Sequence, residues 1–92
     1  MGMKFIRNIQ FTKLIKANGR LREFNFRKSN GLGEGNFTID VSDDRGNRIV
    51  FHMQKLENNW KISEQQLPPW IGESEDKLNE SIVEEWVGNS NS

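Results

Sequence analysis

The sequence contains no cysteine and only one histidine, which excludes several kinds of site. Without cysteine, the chain has no disulfide, no thiolate ligand for a metal and no cysteine nucleophile. One histidine alone leaves too few good ligands for a zinc site. We therefore expect neither a metal nor another cofactor.

Long apolar runs are also missing, so no segment approaches the length of a membrane span. The first residues lack the apolar stretch of a signal peptide. Because a small secreted domain usually needs disulfides, the sequence predicts a cytoplasmic protein with no membrane contact.

Net charge is zero, yet the two signs are separated along the chain. Residues 1–56 carry 11 Lys or Arg and 5 Asp or Glu, a balance of +6. Residues 57–92 carry 2 Lys and 8 Asp or Glu, a balance of −6. The simplest interpretation is an acidic helix packed beside a basic sheet, and the alternative is a basic face for a partner.

The clearest structural pattern runs from Asn36 to Gln54. Apolar and polar residues alternate on both sides of Asp43-Asp44-Arg45-Gly46-Asn47, which is typical of two strands joined by a turn. A type I turn with Gly46 in the left-handed region would pair Asp43 with Asn47. The predicted apolar pairs are then Val41–Ile49, Ile39–Phe51 and Phe37–Met53.

Two further turns extend this hairpin into a meander. Asn18-Gly19 predicts a two-residue hairpin that pairs Phe11 with Phe26, Lys13 with Phe24 and Ile15 with Arg22. Its first strand would span about Ile9 to Lys16, with residues 1–8 forming a helical turn or an added strand. Asn58-Asn59 predicts a third turn, pairing Glu57 with Trp60 and Lys55 with Ile62. Residues 29–35 predict a flexible glycine-rich connection.

Pro68-Pro69 predicts an end to regular structure, after which a helix follows. Ser74 is the expected N-cap, and Gly88 the residue just past the helix. Leu78, Ile82 and Trp86 form one apolar stripe, widened by Val83. The sequence thus predicts one α+β domain over residues 1–87 and a disordered polar tail over residues 88–92. In that domain, an antiparallel meander of four to five strands carries the C-terminal helix on one face.

His52 is the one candidate for acid–base chemistry. It is expected on the polar face, opposite Thr38 and near Asp40 and Gln54. One imidazole and one carboxylate without a nucleophile do not make a triad, so a non-enzymatic protein is favoured.

Basic residues cluster around the first predicted hairpin, near Phe24 and Phe26. Such interleaving can hold single-stranded nucleic acid, but only if the two rings are uncovered. Because we expect both rings under the helix, nucleic-acid binding is a minor alternative. The residues concerned are Lys13, Lys16, Arg20, Arg22, Arg27 and Lys28.

These patterns favour a small binding module, acting through a partner protein or as a homodimer, through the open sheet face or an edge strand. The candidate partner face comprises Thr38, Asp40, Arg48, Val50 and His52. The alternative is a small-ligand or weakly catalytic pocket between helix and sheet, lined by Trp70, Trp60 and His52.

Overall fold

A computed structural model of the protein describes residues 7–30, 36–64 and 66–90. Five antiparallel strands lie side by side in chain order within a single curled sheet, and two helices follow. This confirms the predicted α+β meander with a C-terminal helix. The elements are β1 (Arg7–Ala17), β2 (Arg20–Asn30), β3 (Phe37–Ser42), β4 (Arg48–Leu56), β5 (Asn59–Ile62), α1 (Pro69–Gly72) and α2 (Glu75–Ser90).

The β3–β4 hairpin has the predicted turn and register. Asp43 Oδ1 accepts hydrogen bonds from the backbone N–H groups of Asn47 (2.8 Å) and Arg45 (2.9 Å), and Gly46 has a φ of 84°. The hydrogen bond from the N–H of Asn47, together with that from Arg45, lowers the pKa of Asp43 by more than partial burial raises it. The pKa of Asp43 therefore lies below its usual value. The three predicted apolar pairs are all present.

The β1–β2 hairpin is also as predicted. Asn18 and Gly19 both have positive φ, 55° and 85°, as a type I′ turn requires. The predicted cross-strand pairs form, and β1 begins earlier than expected, at Arg7. Residues 1–6 and the glycine-rich stretch at residues 31–35 lie outside the described part of the chain.

The β4–β5 hairpin differs from its prediction. Trp60 pairs with Lys55 instead of Glu57, and Ile62 pairs with Met53 instead of Lys55. Glu57 and Asn58 form the turn, with Glu57 at a φ of 59°. Because the register moves by two residues, every side chain keeps its face, and Trp60 still reaches the core.

One face of the sheet carries the hydrophobic core. Phe24 and Phe26 are completely or almost completely buried there, so the core interpretation of these rings is confirmed and the stacking interpretation is excluded. Aromatic contacts cross the sheet from β1 to β5 through Phe11, Phe26, Phe37 and Trp60. The buried apolar residues are Ile15, Ala17, Phe24, Phe26, Phe37, Ile39, Val41, Phe51, Met53, Trp60, Ile71, Leu78 and Ile82.

The C-terminal segment departs from its prediction in three places. Pro69 begins the helical turn α1 instead of ending regular structure, because the first turn of a helix needs no N–H from proline. α2 continues through Gly88 to Ser90. Val83 is exposed and does not widen the stripe, whereas Leu78 and Ile82 are fully buried. The predicted contact of the Trp86 side chain lies outside what the structure describes.

Two side chains of α2 close the outer edge of β5. Asn79 Oδ1 accepts the backbone N–H of Trp60 at 2.8 Å, and Glu75 Oε2 accepts that of Ile62 at 2.9 Å. Both N–H groups point away from β4 and would otherwise stay available to another strand. α2 therefore both roofs the core and caps this edge of the sheet.

Replacing Gly46 with Ala should destabilise the protein by roughly 1–2 kcal/mol, because a Cβ is strained at a φ of 84°. Gly72→Ala is the matched control, since an added Cβ meets nothing within 4 Å there and no positive φ is involved. Urea unfolding of both variants measures the difference. Equal stability of the two variants would show that the turn does not need the left-handed conformation.

Replacing Asn79 with Ala should cost about 1 kcal/mol and accelerate amide hydrogen exchange at Trp60, because that N–H loses its acceptor. Exchange at Ile62, which Glu75 holds, should change much less. Asn79→Asp keeps an acceptor and serves as the control. Unchanged exchange at Trp60 in the alanine variant would contradict the capping role.

Candidate functional site

The face opposite α2, here called the open face, is polar and crossed by a row of paired residues. Thr12, Asn25, Asp40 and Val50 lie side by side on β1 to β4. Thr12 Oγ1 donates to Asn25 Oδ1 at 2.7 Å, which joins the first two strands of the row. Thr38 lies opposite His52 on this face, as predicted.

Asp40 is buried although it lies on the open face. Its side chain is 7% exposed, and its Oδ2 lies 2.8 Å from Nε of Arg48. Its Oδ1 is 3.9 Å from Nη1 of Arg27 and has no hydrogen-bond donor. A buried oxygen without a donor costs roughly 1–3 kcal/mol of folding free energy, so Oδ1 of Asp40 destabilises the fold.

Asp40 lines an open depression of about 420 Å³ on this face. Arg27 and Arg48 stand at its wall with Asp40 between them, and both side chains are about half exposed or more. The remaining lining comes from Gln10, Phe11, Thr12, Asn25 and Phe26.

A second depression of about 260 Å³ lies where β2 and β3 separate. The ladder between these strands contains only the pairs from Asn25–Asp40 to Arg27–Thr38. Beyond Asn25 the strands diverge, and Arg22 occupies the core side of the gap. Its Nε donates to Ala17 O at 2.8 Å, and its Nη2 lies 3.1 Å from Asp44 Oδ1 outside hydrogen-bonding geometry.

His52 pairs with Glu64 and not with Asp40 or Gln54. The Nδ1 atom of His52 is 2.6 Å from Glu64 Oε2, and the backbone N–H of His52 donates to Glu64 Oε1 at 2.8 Å. Partial burial alone would raise the pKa of Glu64, but the hydrogen bonds from the ring and backbone of His52 outweigh it and hold the pKa below its usual value. This carboxylate fixes the orientation of the imidazole.

Glu64 was missed at the sequence level because it follows β5, whose register was displaced. In the observed register, the N–H of Ser63 donates to His52 O at 2.8 Å, and Glu64 comes next. No hydrogen bond joins His52 to a serine or threonine hydroxyl in the described ranges. The pair can therefore hold or transfer a proton, but it activates no nucleophile there.

The three predicted pocket residues are not brought together. Trp60 is buried in the core, His52 is on the open face, and the sheet lies between them. Trp70 is partly buried against the core, where the guanidinium of Arg22 lies 4.4 Å from its ring centroid. Trp70 thus makes a cation–π contact at the end of the sheet.

The six basic residues predicted to cluster are divided between the two faces. Arg22 and Lys28 are buried on the core side, and Lys13 forms ion pairs with Glu84 (3.7 Å) and Glu85 (3.3 Å) of α2. Lys16, Arg20 and Arg27 are exposed. The two ion pairs of Lys13 link the basic sheet to the C-terminal part of the acidic helix α2 within the monomer.

The outer edge of β1 contrasts with that of β5. Among the described residues β1 pairs only with β2. A two-residue turn makes Ala17–Arg20 a hydrogen-bonded pair, so the backbone groups of alternate residues from Lys16 back to Asn8 point away from β2. The side chains on these outward positions lie on the open face and are exposed at Gln10, Thr12, Leu14 and Lys16.

No family model, characterised protein or solved structure matches this chain. Within the described ranges, no three His, Asp or Glu side chains are grouped so that they could hold a metal ion. The helices in those ranges also include none with the length and apolar character needed to cross a membrane.

Replacing Glu64 with Gln should lower stability near neutral pH, because the charged acceptor of His52 is lost. A lowered folded-state pKa stabilises the fold above the ordinary glutamate value near 4.5, and this contribution disappears as the pH falls through the folded value. The urea midpoints of wild type and Glu64→Gln should thus differ at neutral pH and converge in acid. Glu80→Gln, at an exposed helix position, is the control and should show no such convergence. A Glu64→Gln difference that stays constant down to the acid transition would contradict the prediction.

Proposed function

We propose that this chain is a small peptide-binding module that takes an extended acidic segment of a partner protein as a sixth strand along β1. The observation that carries this proposal is the contrast between the two edges of the sheet. Helix side chains close the edge of β5, whereas the edge of β1 pairs with no other described strand. Strand addition at such an edge is a recurring mode of peptide recognition.

The length and regularity of β1 support this mode of binding. β1 spans 11 residues, while the capped strand β5 spans only 4. A long regular edge offers a partner several main-chain hydrogen bonds in one register, which supply affinity without a deep pocket.

Exposed apolar side chains beside this edge add to the surface a partner could cover. Leu14 and Leu21 are 66% and 64% exposed. They are diagonal neighbours on the open face, because Leu14 pairs with Glu23 and Leu21 with Lys16. On the other face, Ile9 and Phe11 are only partly buried against the core. An added strand would bury more of both pairs.

Charge favours an acidic partner over a second copy of the chain. β1 contains no acidic residue, and Lys16 is exposed beside its edge, whereas Lys13 is already paired with Glu84 and Glu85 of α2. A twofold pairing of β1 with itself would bring two such strands together, and lysine on an edge strand discourages this kind of self-pairing. An extended segment with Asp or Glu at alternate positions would meet this charge favourably.

A cytoplasmic location belongs to the same proposal. Its support is the cysteine-free composition of a small domain, since secreted domains of this size are usually stabilised by disulfides.

The test is selection from a random peptide-display library against the full chain, followed by titration of chosen peptides into two variants. Enriched peptides should alternate β-branched residues with Asp or Glu, and binding should slow hydrogen exchange at Thr12 and Leu14. Leu14→Pro should weaken binding by at least about tenfold, because proline removes an outward N–H without removing a β1–β2 hydrogen bond. Leu14→Thr keeps the N–H and is the matched control.

Several outcomes would overturn the proposal. Equal weakening by the threonine variant would assign the effect to the leucine side chain instead of the strand edge. Concentration-dependent dimerisation abolished by Leu14→Pro would indicate a second copy as the occupant. Preference for oligonucleotides, with affinity falling steeply as salt rises, would indicate nucleic-acid binding. Hydrogen exchange of the wild type with bound peptide gives the decisive reading if the proline variant does not fold.

A further inference from the structure

We infer that the depression around Asp40 binds a small organic anion between the guanidinium groups of Arg27 and Arg48. The charged groups of this site lie on β2, β3 and β4, while Gln10, Phe11 and Thr12 of β1 complete its lining.

The first step is that neither arginine is fully used by the fold. Arg48 contacts Asp40 through Nε at 2.8 Å, and its side chain is 62% exposed. Arg27 comes only to 3.9 Å of Asp40 Oδ1, which leaves that buried oxygen without a donor. The side chain of Arg27 is 47% exposed and lines the depression, so its donors are accessible from solvent.

The second step concerns the role of Asp40. Its carboxylate is 7% exposed and lies between the two arginines, so it holds both guanidinium groups at one wall of the depression. Two guanidinium groups and one carboxylate together carry one positive charge. An anionic group would offset that charge and accept hydrogen bonds from the arginine Nη atoms.

The third step concerns the neutral lining. Asn25 uses its Oδ1 to accept from Thr12 at 2.7 Å, which leaves its amide N–H groups as donors toward the depression. Gln10 adds a second side-chain amide. The volume of about 420 Å³ exceeds what a simple ion needs and is in the range of small-ligand sites. These features together indicate an organic carboxylate or phosphate.

The test is an NMR titration of the full chain at constant ionic strength, with phenyl phosphate and benzoate as probes and inorganic phosphate as a simple anion. Phenyl phosphate, benzoate or both should give saturable shifts centred on the amides of Asn25, Arg27, Asp40 and Arg48. The stronger of the two probes identifies the anionic group. Arg27→Gln and Arg48→Gln should each weaken its binding by about tenfold or more, because each removes charged donors.

Arg45→Gln is the matched control, since Arg45 is an exposed residue of the β3–β4 turn and does not line the depression. It removes the same charge from the protein. If Arg45→Gln weakened probe binding as much as the other two substitutions, the loss would be an effect of net charge alone, and the inference would be overturned. Shifts centred elsewhere, shifts that do not saturate, or binding of inorganic phosphate as tight as that of both organic probes would also overturn it.

Discussion

The hydrogen bonds between α2 and the outer edge of β5 decide how the rest of the molecule is arranged. Asn79 and Glu75 are four residues apart, about 6 Å along a helix, and they accept N–H groups two residues apart, about 6.7 Å along a strand. This match of spacings fixes the helix alongside β5 while Leu78 and Ile82 enter the core. The sheet is therefore closed on one side, while at the other side β1 pairs only with β2 among the described residues.

Charged side chains inside the sheet are the second notable feature. Arg22 and Lys28 end the buried face, and Asp40 is buried on the opposite one. Arg22 is supported by Ala17 O, Asp44 and the ring of Trp70, so its charge is well surrounded. Both residues nevertheless keep one buried atom without a hydrogen-bond partner, Nη2 of Arg22 and Oδ1 of Asp40. Buried polar groups normally find partners, so these two atoms are exceptions within the described part of the sheet.

Local patterns in the sequence predicted most of the fold and little of the candidate site. The turns at Asn18-Gly19 and Asp43–Asn47 predicted the registers of their hairpins correctly, because a turn fixes the register through a few adjacent residues. The apolar pairs that follow from each register supported the prediction. The turn before β5 was placed wrongly, since a shift of two residues leaves every side chain on the same face and alternation cannot detect it. The displaced register in turn concealed Glu64 as the partner of His52.

By itself, the sequence determined the strands, the faces they present and the two hairpins, because these depend on alternation and turn chemistry within short segments. Tertiary structure alone decided which edge is capped and that Asp40 is buried between two arginines. Each of these depends on residues far apart in the chain. Their contacts arise from the position of α2 and from the pairing of β2 with β3, which no local pattern encodes.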